Sequence, residues 1–156
     1  MTLNRSGAYA ALPGGILDGV QEATFCTWVK VNSHSGWARL FDCGTGTDKY
    51  LFLAPKAEGS GLRFAITVAG NGAEQVINAP ELATGVWTHD AVTLNGTTGI
   101  LYVGVLEAGR NSAMSQTPAS LGCSPLIYIA KSQWNAHYLS GQVDDFRIYN
   151  QGIKCF

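Results

Sequence analysis

Charge is the scarcest ingredient of this chain of 156 residues. Asp, Glu, Lys and Arg make up 13% of it, about half the share usual in soluble domains. The net charge is −1 and no basic block occurs, which argues against a surface that tracks nucleic-acid phosphates. No apolar run approaches the ~20 residues that a membrane helix needs, so membrane insertion is not expected. The four cysteines, Cys26, Cys43, Cys123 and Cys155, have no C-x-x-C spacing, so neither a zinc ribbon nor a thioredoxin-type site is expected. Missing too are the G-x-S-x-G elbow and any phosphate loop: GTGT (44–47) and GNGA (70–73) read as turns. The opening MTLNRSGAYAALPGG carries no charged-then-apolar leader. Either the protein is cytoplasmic or, the reading adopted, residues 1–156 are a single-domain module of a longer secreted protein.

What the chain has is glycine, 19 residues of it, with four Trp, six Tyr and six Phe. That mixture favours short strands joined by tight turns. ATFCTWVKV (23–31) alternates, with Phe25, Thr27, Val29 and Val31 on one side and Cys26, Trp28 and Lys30 on the other. The turn cluster NSHSG precedes WARLFDCG (37–44). A hairpin centred on His34–Ser35 would place Trp28 opposite Phe41 and Cys26 opposite Cys43, close enough for a disulfide or for two buried thiols. KYLFLAP, LRFAITV, EQVINAP, a hairpin across 86–109, PLIYIAKS and GQVDDFRIYN continue the pattern. About ten strands with one helical turn at most, near 14–23, predict an all-β antiparallel sandwich.

Two adjacent acids, Asp144 and Asp145, interrupt the last strand. Strict alternation sends them to opposite sides, so they cannot act as an acid–base pair on one bond. It pairs Asp145 with Arg147 on one side and turns Asp144 toward the core with Phe146 and Ile148. An inward carboxylate needs several hydrogen bonds or a cation. Loop N–H groups would serve. So would calcium, with backbone carbonyls and an acid such as Asp18 as further ligands.

The stretches W-x-R-x-F-D-x-G (37–44), W-T-H-x-A-V-T-L (87–94) and G-x-V-D-D-F-R-I-Y-N (141–150), in that order, make residues 7–152 resemble the laminin G-like, concanavalin A-like modules attached to bacterial glycoside hydrolases. The resemblance implies a two-sheet jelly roll, extracellular carbohydrate binding, a tethered catalytic domain and one structural Ca²⁺. Asp90, YVGV and IAKS depart from the usual pattern, which has an apolar residue, Y-V-N-G and I-G-K-S there.

Enzymes of this fold that cut β-glucans resemble one another in E-x-D-x-E, and no two acids here lie two apart. The expectation is therefore a non-catalytic carbohydrate-binding module. An adhesion or protein-interaction domain and a structural spacer are the alternatives. Sugars are held by flat aromatic faces and planar polar groups. Loop 131–141 supplies Trp134 for stacking, Gln133, Asn135 and His137 for hydrogen bonds, and Tyr138 for either. Trp37 and Arg39, with Asp42 and Tyr50, form a second candidate cluster. Edge packing or capping of the sandwich are the structural readings of the same aromatics. His89 is read as a structural, hydrogen-bonded histidine, and Trp28 and Trp87 as mainly structural.

Overall fold

The computed structural model describes residues 1–4 and 6–155. Its strands are β1 (Thr2–Asn4), β2 (Ala10–Leu12), β3 (Ala23–Ser33), β4 (Phe41–Gly44), β5 (Tyr50–Ala57), β6 (Gly61–Thr67), β7 (Gln75–Ala79), β8 (Trp87–Asn95), β9 (Thr98–Val103), β10 (Leu106–Asn111), β11 (Leu126–Ile129) and β12 (Ser140–Tyr149). Two antiparallel sheets of six form a jelly-roll sandwich. The first runs β1-β12-β3-β8-β9-β10 and the second β2-β11-β4-β5-β6-β7. Alternate residues of both sheets fill the space between them: Phe25, Val29 and Val92 from the first meet Phe41, Leu51, Leu53 and Phe64 from the second. Phe25 and Phe41 stack across the gap at 5.1 Å, and Phe146 meets Phe41 edge-on at 5.6 Å. Among the described residues helix is confined to two short 3-10 turns, and 14–23 is turn and bend until β3 begins.

The expected hairpin across 32–40 is not formed. β3 pairs with β12 and β8, whereas β4 pairs with β11 and β5. The turn is an arch that carries the chain from one sheet to the other, with Trp37 at its bend in the left-handed region, φ 63°. A symmetric pair of strand-like stretches around a turn fits either geometry, and burial of Phe25 and Phe41 against each other favours the arch. Trp28 accordingly lies between His89 and Asp144, not opposite Phe41. Cys43 is in the core and Cys26 on the outer side of the first sheet, so they form no disulfide; all four cysteines are free.

Asp144 does not point inward. β12 carries a bulge: Asp144 pairs with Trp28 and Arg147 with Cys26, three steps against two. Asp145 takes the extra position at φ 50°, a conformation that Asp tolerates better than most residues. Alternation resets, so Val143 is buried, Phe146 and Ile148 pack on the core, and both acids are exposed. Asp145 accepts a 2.7 Å bond from Arg147 Nε, and Asp144 Oδ1 accepts the Asp145 N–H at 3.0 Å.

The acid that does face the core is Asp90, at 1% exposure and with neither carboxylate oxygen hydrogen-bonded. Its register partner Thr27 donates its hydroxyl to the Asp144 carbonyl instead. Burial without a partner pushes the Asp90 carboxyl up to about 7. Between about pH 4, where the unfolded group titrates, and about pH 7, the native state therefore binds more protons, and stability falls as pH rises. At ~1.4 kcal/mol per unit the loss is about 4 kcal/mol, complete above pH 7. Asp90→Val should remove it. Urea unfolding of both proteins near pH 4 and near pH 8 should show the advantage of the variant growing by a few kcal/mol; a constant difference would contradict an isolated buried acid.

Candidate functional site

Strand β5 is buried on both sides. Leu51 and Leu53 face the core, while Tyr50, Phe52 and Ala54 form a second buried cluster with Ala65 on the outer side of the second sheet. A sheet face carrying such residues needs a cover, and the arch after β3 and the loop after β11 provide it. The Arg39 guanidinium lies 3.6 Å from the Phe52 ring centre and 5.6 Å from that of Trp37. It donates to the Trp37 carbonyl at 3.0 Å and pairs with Asp42 at 3.4 Å, with both residues less than 5% exposed. Arg39 is thus held by an aromatic surface as well as by its counter-ion.

Asp42 is also the anchor of the other loop. It accepts the Gln133 N–H at 3.1 Å, the Gln133 side-chain amide at 2.8 Å and the Ser132 hydroxyl at 3.3 Å. Ser132 Oγ in turn accepts the Trp134 N–H at 3.0 Å. Gly44 leaves room for this junction, since a Cβ there would overlap the Lys49 carbonyl and the Gln133 amide. Burial pushes the Asp42 carboxyl up, and Arg39 with the Gln133 and Ser132 donors pushes it back. Every group facing Asp42 can donate, which suits a carboxylate.

Between the two loops lies a cleft of about 360 Å³ lined by Trp37, Arg39, Tyr50, Arg63, Asn71, Glu74, Trp134 and Ala136. Trp134 is 39% exposed and meets the Tyr50 ring edge-on at 6.3 Å. On the floor, the Tyr50 hydroxyl donates to Glu74 at 2.7 Å, and Arg63 reaches the other Glu74 oxygen at 3.5 Å and Asn78 at 3.0 Å. Burial and Glu74 together raise the Tyr50 phenol, which stays a donor. A second depression, about 490 Å³, continues past Trp37 and Ala136 to Gly36, Glu58, Asn135 and His137.

The candidate residues are thus divided. Trp37, Arg39 and Trp134 line the cleft, and Asn135 and His137 line its extension. Gln133 lies beneath, its amide nitrogen committed to Asp42. Tyr138 lines neither depression; it sits 6.2 Å from Tyr9, which is edge-on to Tyr128 at 5.7 Å. Arg63, Asn71 and Glu74 were not expected. Alternation of LRFAITV places Arg63 outward beside Ala65, which was the available signal; Asn71 and Glu74 belong to a turn whose contacts are set by the fold. Asp18 and Asp144 are both exposed, and neither belongs to a described cluster of three His, Cys, Asp or Glu side chains.

The family model for the concanavalin A-like lectin/glucanases superfamily matches residues 4–153. The chain belongs to this superfamily. No curated protein matches its sequence. Among solved structures it is similar to domain 4 of AbnA, a GH43 extracellular arabinanase from Geobacillus stearothermophilus in complex with arabinotriose. The TM-score is 0.83 at 18% identity, over 98% of this chain and 71% of that one. The Ruminococcus gnavus IT-sialidase CBM40 bound to α2,3 sialyllactose gives 0.76 at 10% identity, over 94% and 91%. The NanB sialidase from Streptococcus pneumoniae gives 0.78 at 15% identity over 98% of this chain, which spans 26% of that enzyme. At such identities the likeness is one of fold.

Asp42→Ala should destabilise the domain by about 3–5 kcal/mol, because it strands the buried Arg39 charge. Adding Arg39→Met should recover part of the loss in urea unfolding. A double variant no more stable than the single one would show that the two residues do not act as a pair.

Proposed function

We propose that this chain is a non-catalytic carbohydrate-binding module of a secreted protein, and that the Trp37–Trp134 cleft takes a neutral oligosaccharide. The observation that carries the reading is the cleft itself: two partly exposed indoles beside Arg63, Asn71 and Glu74. Indole faces suit the C–H surfaces of a sugar ring, and the polar groups offer donors and acceptors to its hydroxyls. A groove beside an aromatic platform favours this reading over an adhesion surface, which would be broad, flat and apolar, and over a spacer, which would have no cleft.

The charges lining the cleft are balanced, Arg63 against Glu74 and Arg39 against Asp42, which favours an uncharged ligand. In most glycosidases hydrolysis uses two carboxyl groups flanking the scissile bond. Glu74 is the one carboxylate among the cleft-lining residues, and it is committed to Tyr50 and Arg63. The similar arabinanase and sialidase structures support a module tethered to a glycoside hydrolase outside the cell. Calcium is not part of this reading of the cleft.

Affinity gel electrophoresis against neutral polysaccharides tests the proposal. Trp134→Ala should weaken binding at least tenfold, about 1.4 kcal/mol, with the domain still folded by thermal melting. Unchanged retardation would remove the cleft as the sugar site. Affinity should also vary by less than about twofold between ~0.05 and ~0.5 M salt; a steep loss would indicate an anionic ligand instead.

A further inference from the structure

We propose a second site, on the opposite sheet and independent of the sugar reading: a zinc-class metal centre formed by Cys26, His89 and Cys155. Three separate segments bring these residues together. Cys26 and His89 point outward from the neighbouring strands β3 and β8. Cys155 arrives from the C-terminal segment, which turns back across the outer face of the first sheet. Thr24 holds that segment in place: its hydroxyl lies 2.8 Å from the Gln151 carbonyl and 3.0 Å from the Ile153 carbonyl, and it accepts the Ile153 N–H at 2.9 Å. The result is that one ligand atom from each of the three side chains lies within 4.8 Å of the other two.

The donor set is chemically specific. Two sulfurs and an imidazole suit zinc in tetrahedral coordination, with bonds of about 2.3 and 2.1 Å that place ligand atoms about 3.6–3.8 Å apart. The 4.8 Å limit exceeds that spacing by about 1 Å, so binding requires the side chains to move closer. Cys26 is buried and the other two are half-buried, so a fourth position is left to water or to an external ligand. A disulfide between Cys26 and Cys155 is the competing arrangement. It would use both sulfurs but leave the histidine unexplained, and His89 Nδ1 is buried with no hydrogen-bond partner. The Trp28 ring, edge-on at 5.3 Å, covers the imidazole but offers it no acceptor. A metal uses the imidazole and both sulfurs together, and it fastens the C-terminal segment to the sheet.

The test is a cobalt(II) titration of reduced, reductant-free protein under inert gas. One equivalent should bind with thiolate-to-metal charge-transfer absorption and intense tetrahedral d–d bands, and zinc should displace it. Cys155→Ser and His89→Ala should each weaken cobalt binding at least tenfold, with thermal melting to verify that both variants fold. Absence of the charge-transfer band in the wild type would overturn the proposal, as would bands unchanged in Cys155→Ser. A wild-type mass two daltons low even when purified with excess zinc, with peptide mapping that joins Cys26 to Cys155, would assign the two to a disulfide and overturn it as well.

Discussion

The Arg39–Asp42 ion pair is the constraint on which the outer face of the second sheet depends. It is buried between two loops and a phenylalanine ring, where an unpaired charge of either sign would be costly. Because each partner needs the other, the arch after β3 and the loop after β11 must settle together. Buried pairs often add little net stability compared with apolar residues of the same shape. Here the pair sets geometry: Asp42 receives three further hydrogen bonds from Ser132 and Gln133, and Arg39 fixes the carbonyl of Trp37. The indoles of Trp37 and Trp134 are therefore held by the same two side chains.

That arrangement explains how a loop-built site can be ready for a ligand. Ordering loops and side chains on binding consumes part of the interaction free energy. In this cleft the backbone of Trp134 is already tied to Ser132, and Tyr50, Glu74 and Arg63 are already joined by hydrogen bonds. A sugar would have to meet groups whose mutual bonds are partly satisfied, so its hydroxyls must match positions that are fixed in advance. Such a site discriminates by shape and hydrogen-bond pattern. Solved structures that share 10–18% of their residues with this chain share its sandwich.

Much of the sandwich was legible from period-two alternation. Phe25, Val29 and Val31 on β3, or Val92 and Leu94 on β8, repeat on one side of a strand, and burying that side is the only way to satisfy them. Motif order made the jelly roll legible as well. Register between strands was not legible, because alternation constrains the sides of a strand and leaves its neighbours open. Hence the turn 32–36 read as a hairpin when it is an arch, and Cys26 and Cys43 were placed together when a whole sheet separates them. The bulge at Asp145 was hidden for a related reason. One extra residue reverses every later side chain, and nothing in D-D-F-R states which register wins until Phe146 has Phe41 to pack against. The tryptophans of the cleft were legible as exposed aromatics near polar groups. Their companions Arg63 and Glu74 come from strands and turns that only the folded sheet brings alongside.

Asp42 and Asp90 are both nearly inaccessible, and the contrast between them shows what the fold does with a buried acid. Asp42 sits where two loops converge, so donors are available and the carboxylate becomes a junction. Asp90 sits in the middle of β8 facing the other sheet, where the neighbouring backbone N–H groups are spent in strand pairing and Thr27 is turned away. The same residue type is an organiser at a loop junction and a liability in a sheet interior, because only loops have unspent donors to offer. The placement of function follows the same logic. The cleft on the second sheet is built by loops that fold over its outer face, whereas the outer face of the first sheet is crossed by the C-terminal segment over Thr24. The open aromatic cleft of the domain therefore lies on the second sheet.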